Sequence, residues 1–121
     1  MRDHRKLEVF AAADALVLEV YKLTKGFPPE EKFGLQAQIR RAAVSVPTNI
    51  VEGCARRSRP DYCRFLEIAY ASSHEVHYLL GLAARLGFLS SSLIDPLVSR
   101  YDGLQVGLFR LIESQDRRTG N

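Results

Sequence analysis

The sequence contains no tryptophan, only two cysteines and one methionine, and no long uncharged run of apolar residues. Because a helix that spans a bilayer needs roughly 18 or more apolar residues in succession, we expect no transmembrane segment and no membrane partner. The charged start of the chain leads into an amphipathic segment and not into a signal-peptide core, which favours the cytoplasm. Cys54 and Cys63 lack the paired spacing of a zinc site and are predicted to be free structural thiols.

A large excess of one charge is also missing, since 17 Lys and Arg against 14 Asp and Glu leave a net charge of +3. The 121 residues are 46% apolar and 26% charged, which is typical of a globular protein with one core. A single domain over residues 1–121 is therefore predicted. The small positive excess permits a polyanionic partner without requiring one.

Apolar residues recur at helical spacing through most of the chain, and no segment alternates as a half-buried strand does. The spacing predicts four helices, at about Lys6 to Lys25, Pro29 to Gly53, Ser58 to Gly87 and Ser90 to Leu111. Short links between them favour an all-α fold, an up-down-up-down antiparallel four-helix bundle, with a frayed polar tail over about 114–121.

Pro47 lies inside the apolar stripe of the second helix. It either kinks one long helix or separates two short ones, because proline removes a backbone donor and crowds the preceding turn. The stripe stays in phase across this position, which favours one helix with a kink near Pro47.

One polar sector of helix two lies beside its apolar stripe when residues are placed at about 100° each. If helices two and three are antiparallel, this sector faces polar residues of helix three, and Arg41 is predicted to form an ion pair with Glu75. The predicted polar network consists of Gln38, Arg41, Ser45, Asn49, Glu52, Ser72 and Glu75.

The far side of the same helix carries small and apolar residues where a solvated helix would carry Lys and Glu. A helix that is apolar on two sides is normally buried on two sides, so self-association is predicted, against the alternative of scattered small surface residues. The predicted oligomer interface consists of Ala37, Val44, Thr48, Val51 and Ala55.

Motifs for catalysis and for cofactors are missing. His74 and His77 are three residues apart and lack the four-residue spacing of a zinc-protease helix, with no further ligands in view. We therefore predict no metal site, no cofactor, no catalytic residues and no enzymatic activity.

Arginines crowd the link between helices two and three at Arg56, Arg57, Arg59 and Arg64, here called the arginine cluster. Such a cluster can bind phosphates with release of counterions, and the neighbouring Tyr62 is predicted to stack on a base. The alternative is a loop whose arginines pair with acidic residues of a neighbouring subunit. In a ring of identical subunits the cluster would repeat and form a continuous basic rim.

Residues 33–53 and 65–75, with 21–28 upstream, resemble the signature of the four-helix-bundle proteins of the 23S rRNA intervening-sequence family. The resemblance implies a bundle that assembles as a ring, commonly a pentamer, without established enzymatic activity. The family is related to the accessory protein of diversity-generating retroelements, a basic pentameric barrel that binds nucleic acid and a reverse transcriptase. The matching motif positions, which resemble a folding and assembly motif, are Gln38, Arg41, Ser45, Asn49, Glu52, Gly53, Ser72 and Glu75.

The chain departs from the family pattern at Ala71, where glycine is usual, and at His77, Tyr78 and Leu79, which replace a more polar run. Together these observations predict a cytoplasmic homo-oligomer, pentameric by resemblance, that serves as a nucleic-acid-associated scaffold for RNA or DNA. The alternative is a ring that binds another protein and makes no direct contact with nucleic acid.

Overall fold

The computed structural model describes residues 2–119, and all regular structure within that range is helical. Four helices follow one another along the chain: α1 (Glu8–Thr24), α2 (Leu35–Cys54), α3 (Arg59–Arg85) and α4 (Ser91–Thr119). Short 3₁₀ turns precede α1 at His4–Lys6 and α2 at Pro29–Glu31. The all-α fold class is confirmed.

Helix α2 begins later than the sequence pattern predicted. Pro29–Glu31 forms a separate 3₁₀ turn, and the α-helix starts only at Leu35. The Glu31 carboxylate still serves this start, because its Oε1 accepts a hydrogen bond from the Leu35 N–H at 2.9 Å. A carboxylate at this position satisfies a backbone donor that has no partner inside the helix.

Helix α2 continues across Pro47 from Leu35 to Cys54, which excludes the alternative of two short helices. The kink itself stays a prediction. Thr48 and Asn49 return hydrogen bonds to the preceding turn, from Thr48 Oγ1 to the Val44 carbonyl and from Asn49 Nδ2 to the Ser45 carbonyl, both at 2.8 Å. Side-chain donors of this kind supplement the backbone bonds around a proline that cannot donate.

Both ends of α3 follow from local sequence. Ser58 caps its start, with Oγ accepting from the Asp61 N–H at 3.2 Å. Gly87 follows its end at φ +76°, in the left-handed region that glycine adopts without strain. The Gly87 N–H then bonds to the Ala84 carbonyl and the Phe88 N–H to the Ala83 carbonyl, each at 3.0 Å, as in a Schellman motif.

Each helix packs against two others, in the pairs α1 with α2, α2 with α3, α3 with α4, and α1 with α4. The shared core is mostly aliphatic, with Tyr62 and Tyr101 as its two largest fully buried side chains, and its most deeply buried members come from all four helices. Among those residues are Leu16, Val20, Ile39, Val46, Ile50, Leu66, Val76, Leu80, Ile94 and Leu108. Burial of such stripes stabilises the bundle by about 25 cal/mol per Å² of apolar surface removed from water.

Helix α4 continues into the segment that was predicted to be a frayed tail, and the fraying itself stays a prediction. The helix runs on to Thr119, well past the predicted tail start at Ser114, and Gly120 and Asn121 lie outside the described residues. Ile112 and Gln115 are buried on its inner side. The sequence pattern did not show that this segment continues to face the core, because the buried position 115 is occupied by the polar Gln115 and not by an apolar residue.

Tyr101 is fully buried, and its hydroxyl has no hydrogen-bond partner within residues 2–119. Burial raises the pKa of this phenol, so it remains neutral. Because a buried hydroxyl without a partner costs free energy, Tyr101→Phe is expected to raise the free energy of unfolding by about 1 kcal/mol. Urea denaturation measures this, with the exposed Tyr78→Phe as a control that changes it by less than about 0.5 kcal/mol. Clear destabilisation by Tyr101→Phe would show that the Tyr101 hydroxyl makes a stabilising hydrogen bond.

Candidate nucleic-acid interface

The arginine cluster lies at the junction of α2 and α3. Arg56 and Arg57 are exposed on the loop, Arg59 is the first residue of α3, and Arg64 is exposed further along that helix. Neither Arg56 nor Arg57 forms an ion pair within the described part of the chain. Arg64 Nη2 lies 3.8 Å from Asp61 Oδ1, an exposed contact of small energetic value.

The guanidinium groups of two of these arginines lie over the ring of Phe65. The Arg56 guanidinium carbon lies 4.5 Å from the ring centroid and that of Arg64 lies 5.0 Å away. Each contact is a cation–π interaction, of about 0.5–1 kcal/mol at an exposed site. Because Phe65 is only 8% exposed, its ring is fixed by packing in the protein, and it restrains both guanidinium groups.

The predicted stacking of Tyr62 on a base is wrong for this fold. Tyr62 is 2% exposed and belongs to the core. Its ring already carries the guanidinium of Arg2, whose carbon lies 3.9 Å from the centroid. Its position on α3 turns the ring inward, and the helical spacing that it shares with the buried Phe65 and Ala69 was the available signal.

Arg2 also lies at the junction of α2 and α3, and sequence reasoning missed it. Its backbone N–H donates to the Cys54 carbonyl at 3.2 Å, and its Nη1 donates to the Arg56 carbonyl at 3.5 Å. The chain start therefore lies beside the loop between α2 and α3. The basic character of the first residues was the available signal, but only the fold brings Arg2 next to Arg56.

Arg59 differs from its neighbours in the arginine cluster because it is partly buried. Its Nε is shielded from solvent and makes no hydrogen bond within residues 2–119. A desolvated N–H without a partner gains more from an incoming oxygen acceptor than a fully hydrated one does.

Part of the predicted polar network is present between α2 and α3. Ser45 Oγ and Ser72 Oγ are 2.8 Å apart, and Asn49 Nδ2 donates to Ser45 Oγ at 3.0 Å. These short side chains allow the two helices to approach closely. Near the loop the approach depends on Gly53, where a Cβ would lie 2.9 Å from the Phe65 Cβ.

The rest of the predicted network is not formed within the described residues. No ion pair joins Arg41 and Glu75, and both side chains are exposed. Gln38 and Glu52 are likewise exposed. The contact between α2 and α3 is made by small residues on the inner side of this sector, so the long side chains remain in solvent, where an ion pair contributes little.

Arg40, and not Arg41, is the arginine of α2 that the fold anchors. Its Nε donates to Thr24 Oγ1 at 2.9 Å and its Nη2 donates to the Tyr21 carbonyl at 3.2 Å. Its guanidinium carbon also lies 4.4 Å from the Tyr21 ring centroid. This side chain ties the end of α1 to α2.

The residues of the predicted oligomer interface line the outer side of α2. Val44, Thr48 and Ala55 are exposed, and Ala37 and Val51 are half-buried. The Thr48 hydroxyl donates to the Val44 carbonyl within the helix, so this face offers little hydrogen-bonding capacity.

A second exposed apolar surface lies between α3 and α4. A groove of about 520 Å³ there is lined by Tyr70, Val106 and Phe109 among other residues. Val106 is 50% exposed and Phe109 is 48% exposed. Sequence reasoning missed this groove because both residues belong to an otherwise ordinary amphipathic pattern.

The histidines of α3 are engaged in different contacts. His77 Nε2 lies 2.9 Å from Asp102 Oδ1 of α4, whereas the His74 ring packs edge-on against Tyr70 with centroids 4.7 Å apart. Residues 2–119 contain no group of three or more His, Cys, Asp or Glu side chains placed to hold a metal ion.

Both cysteines are buried and free, as predicted. Burial raises the pKa of the Cys54 and Cys63 thiols, which disfavours the reactive thiolate. Across residues 2–119, no helix combines the length and the apolar character that crossing a bilayer requires.

The fold and the site define a four-helix protein with an arginine-rich loop between α2 and α3. Residues 5–109 match the family described as 23S rRNA-intervening sequence protein, and the chain belongs to this family. The resemblance found in the sequence is thereby confirmed.

Among solved structures, the chain is similar to a protein of unknown function from the S23 ribosomal protein family of Bacteroides thetaiotaomicron. The two are 24% identical, with a TM-score of 0.80 over 87% of this chain and 95% of the other. At this identity the likeness shows the shared fold. No curated protein matches the chain.

Proposed function

We propose that this protein is a non-enzymatic, homo-oligomeric scaffold of the cytoplasm that binds RNA or DNA through the arginine cluster. The observation that carries the proposal is the pair of exposed arginines at positions 56 and 57, which have no ion-pair partner within residues 2–119. Cations without an acidic partner are available to phosphates. The reduced thiols suit the cytoplasm, where disulfides are rare.

Assembly would strengthen this contact. The apolar outer side of α2 supports self-association, and the resemblance to the family's ring-forming members supports a pentamer. In a ring the arginine cluster repeats once per subunit, so that a net charge of +3 per chain becomes a concentrated basic surface. Several clusters that contact one strand also raise the overall affinity without any new contact.

The test is a salt titration of oligonucleotide binding, followed by fluorescence anisotropy. A variant with Arg56, Arg57 and Arg64 replaced by Ala is expected to lose at least about tenfold in affinity. The slope of log affinity against log salt is expected to fall by about 0.9 for each lost duplex phosphate contact. Arg59 is left unchanged because it is partly buried and its loss could disturb folding.

The matched control replaces Arg85, Arg100 and Arg110 with Ala. All three are exposed and lie outside the junction of α2 and α3, and their loss changes the net charge by the same amount. The control is expected to keep most of the affinity. Equal losses in both variants, or no binding by the unmodified protein at low salt, would refute the proposal.

The groove between α3 and α4 favours a second candidate function, a ring that binds another protein without contacting nucleic acid. Its exposed Val106 and Phe109 suit an apolar side chain of a partner. A pull-down with and without nuclease separates the two functions. A partner retained after nuclease treatment and lost in Phe109→Ser would support the protein-binding ring.

A further inference from the structure

We infer, on the basis of the proposed function, that the arginine cluster reads phosphates and not bases, and that Arg2 is its fifth cation. The partner is then any RNA or DNA strand, recognised by its backbone alone. This recognition requires that no ring beside the cluster is open to stack on a base and that the guanidinium groups contact phosphate oxygens.

The two rings that contact the cations of this site are almost wholly covered. Tyr62 and Phe65 are 2% and 8% exposed, and both carry guanidinium groups of the chain itself. His4, the ring nearest to Arg2 in sequence, packs edge-on against Phe10 with centroids 4.7 Å apart. Proteins that hold single strands by their bases use exposed rings, each worth about 1–3 kcal/mol per stacked base.

The exposed aromatic residues of α3 and α4 lie far from the loop. Tyr78 is 19 residues beyond Arg59 on α3, which is about 28 Å along the helix axis. Phe109 packs near Tyr70, with centroids 6.2 Å apart, about 17 Å along α3 from Arg59 and about 9 Å from Arg64. A base held at the loop arginines cannot reach the Tyr78 ring.

Amide side chains, which recognise adenine, are also missing from this segment. Residues 52–67 contain no Asn or Gln, the residues that recognise adenine by two hydrogen bonds. The Ser58 hydroxyl already accepts from the Asp61 N–H. The donors of the cluster are guanidinium groups, which match phosphate oxygens in geometry and charge. Guanine is the one base whose edge also fits a guanidinium fork, so the test includes a strand with guanine.

The ring contacts also hold the cations in place before binding. The Arg2 guanidinium carbon lies 3.9 Å from the Tyr62 centroid, and Arg2 Nη1 bonds to the loop at the Arg56 carbonyl. Arg56 and Arg64 share Phe65. Side chains restrained in this way lose less conformational entropy when they bind phosphate.

The experiment compares three single strands of equal length, made of thymidine, of adenosine, or of alternating thymidine and guanosine nucleotides, with a fourth strand whose sugars carry no base. Fluorescence anisotropy at one salt concentration is expected to give affinities that agree within about threefold, abasic strand included. Arg2→Gln is expected to weaken binding to all four strands by a common factor. Arg5→Gln is the matched control, because Arg5 is exposed, lies three residues away and is paired with Asp3 at 2.9 Å.

The outcomes separate this inference from the proposed function. If no strand binds, the proposed function fails, and the inference fails with it. If the strands with bases bind but the abasic strand loses more than about tenfold, the bases are read and the inference alone is overturned. A preference of about tenfold for one base overturns it in the same way, and an Arg2→Gln variant that binds like Arg5→Gln removes Arg2 from the site.

Discussion

Gly53→Ala is expected to lower the free energy of unfolding by about 2 kcal/mol, although alanine is the better helix former. A Cβ at this position would lie 2.9 Å from the Phe65 Cβ and 3.3 Å from the Tyr62 carbonyl oxygen. Both atoms are fixed by the α3 backbone, so neither can move without shifting the helix. Alanine recovers about 1 kcal/mol of helix propensity, while forced separation of packed helices costs more than that.

Gly81→Ala is the matched control for this prediction. Gly81 lies inside α3, and a Cβ there would meet nothing within 4 Å. The substitution is expected to raise the free energy of unfolding by up to about 1 kcal/mol, because alanine restricts the unfolded chain. Urea denaturation of both variants gives the comparison. Equal effects at the two positions would show that α2 and α3 do not depend on close approach at Gly53.

Val44→Glu is expected to convert the proposed oligomer to a monomer of 13.6 kDa, as measured by light scattering after size-exclusion chromatography. Val44 is 39% exposed in the single chain and lies on the apolar outer side of α2. If a neighbouring subunit covers this side, a carboxylate there would be buried without a partner, at a cost of several kcal/mol. Because the position is exposed in the single chain, the fold of each subunit is expected to survive.

Val106→Glu is the control for this change, since it places the same carboxylate on α4 at 50% exposure. We expect this variant to keep the mass of the unmodified protein. If Val106→Glu dissociates the assembly and Val44→Glu does not, the subunits meet through the groove between α3 and α4. A monomeric unmodified protein at micromolar concentration would refute self-association altogether.

Much of the fold could be predicted because helices are specified locally. Apolar residues at helical spacing, Ser58 as a cap and Gly87 as a stop place α3 within two residues of its bounds. The start of α2 was predicted wrongly because a proline followed by two glutamates suits both an α-helix and the 3₁₀ turn at Pro29–Glu31. Local patterns do not decide between these two structures.

The site was less predictable because it depends on which side chains the bundle turns inward. The Arg41 to Glu75 ion pair was predicted because the two residues would lie opposite each other along antiparallel helices. An equal position along the helix axes does not by itself bring two charged groups together. Tyr62 lies among the arginines in the sequence, and its ring is covered only because α3 packs into the bundle. Arg2 and Arg56 are 54 residues apart along the chain, so no local pattern relates them.

The sequence by itself determined the all-α class, the presence of four helices, the free thiols and the family, since each depends on spacing and residue type along the chain. The tertiary structure alone decided which arginine is anchored, which aromatic rings are covered and which cations meet at the loop. These are contacts between distant segments, and their geometry depends on how closely Gly53, Ser45 and Ser72 allow α2 and α3 to approach.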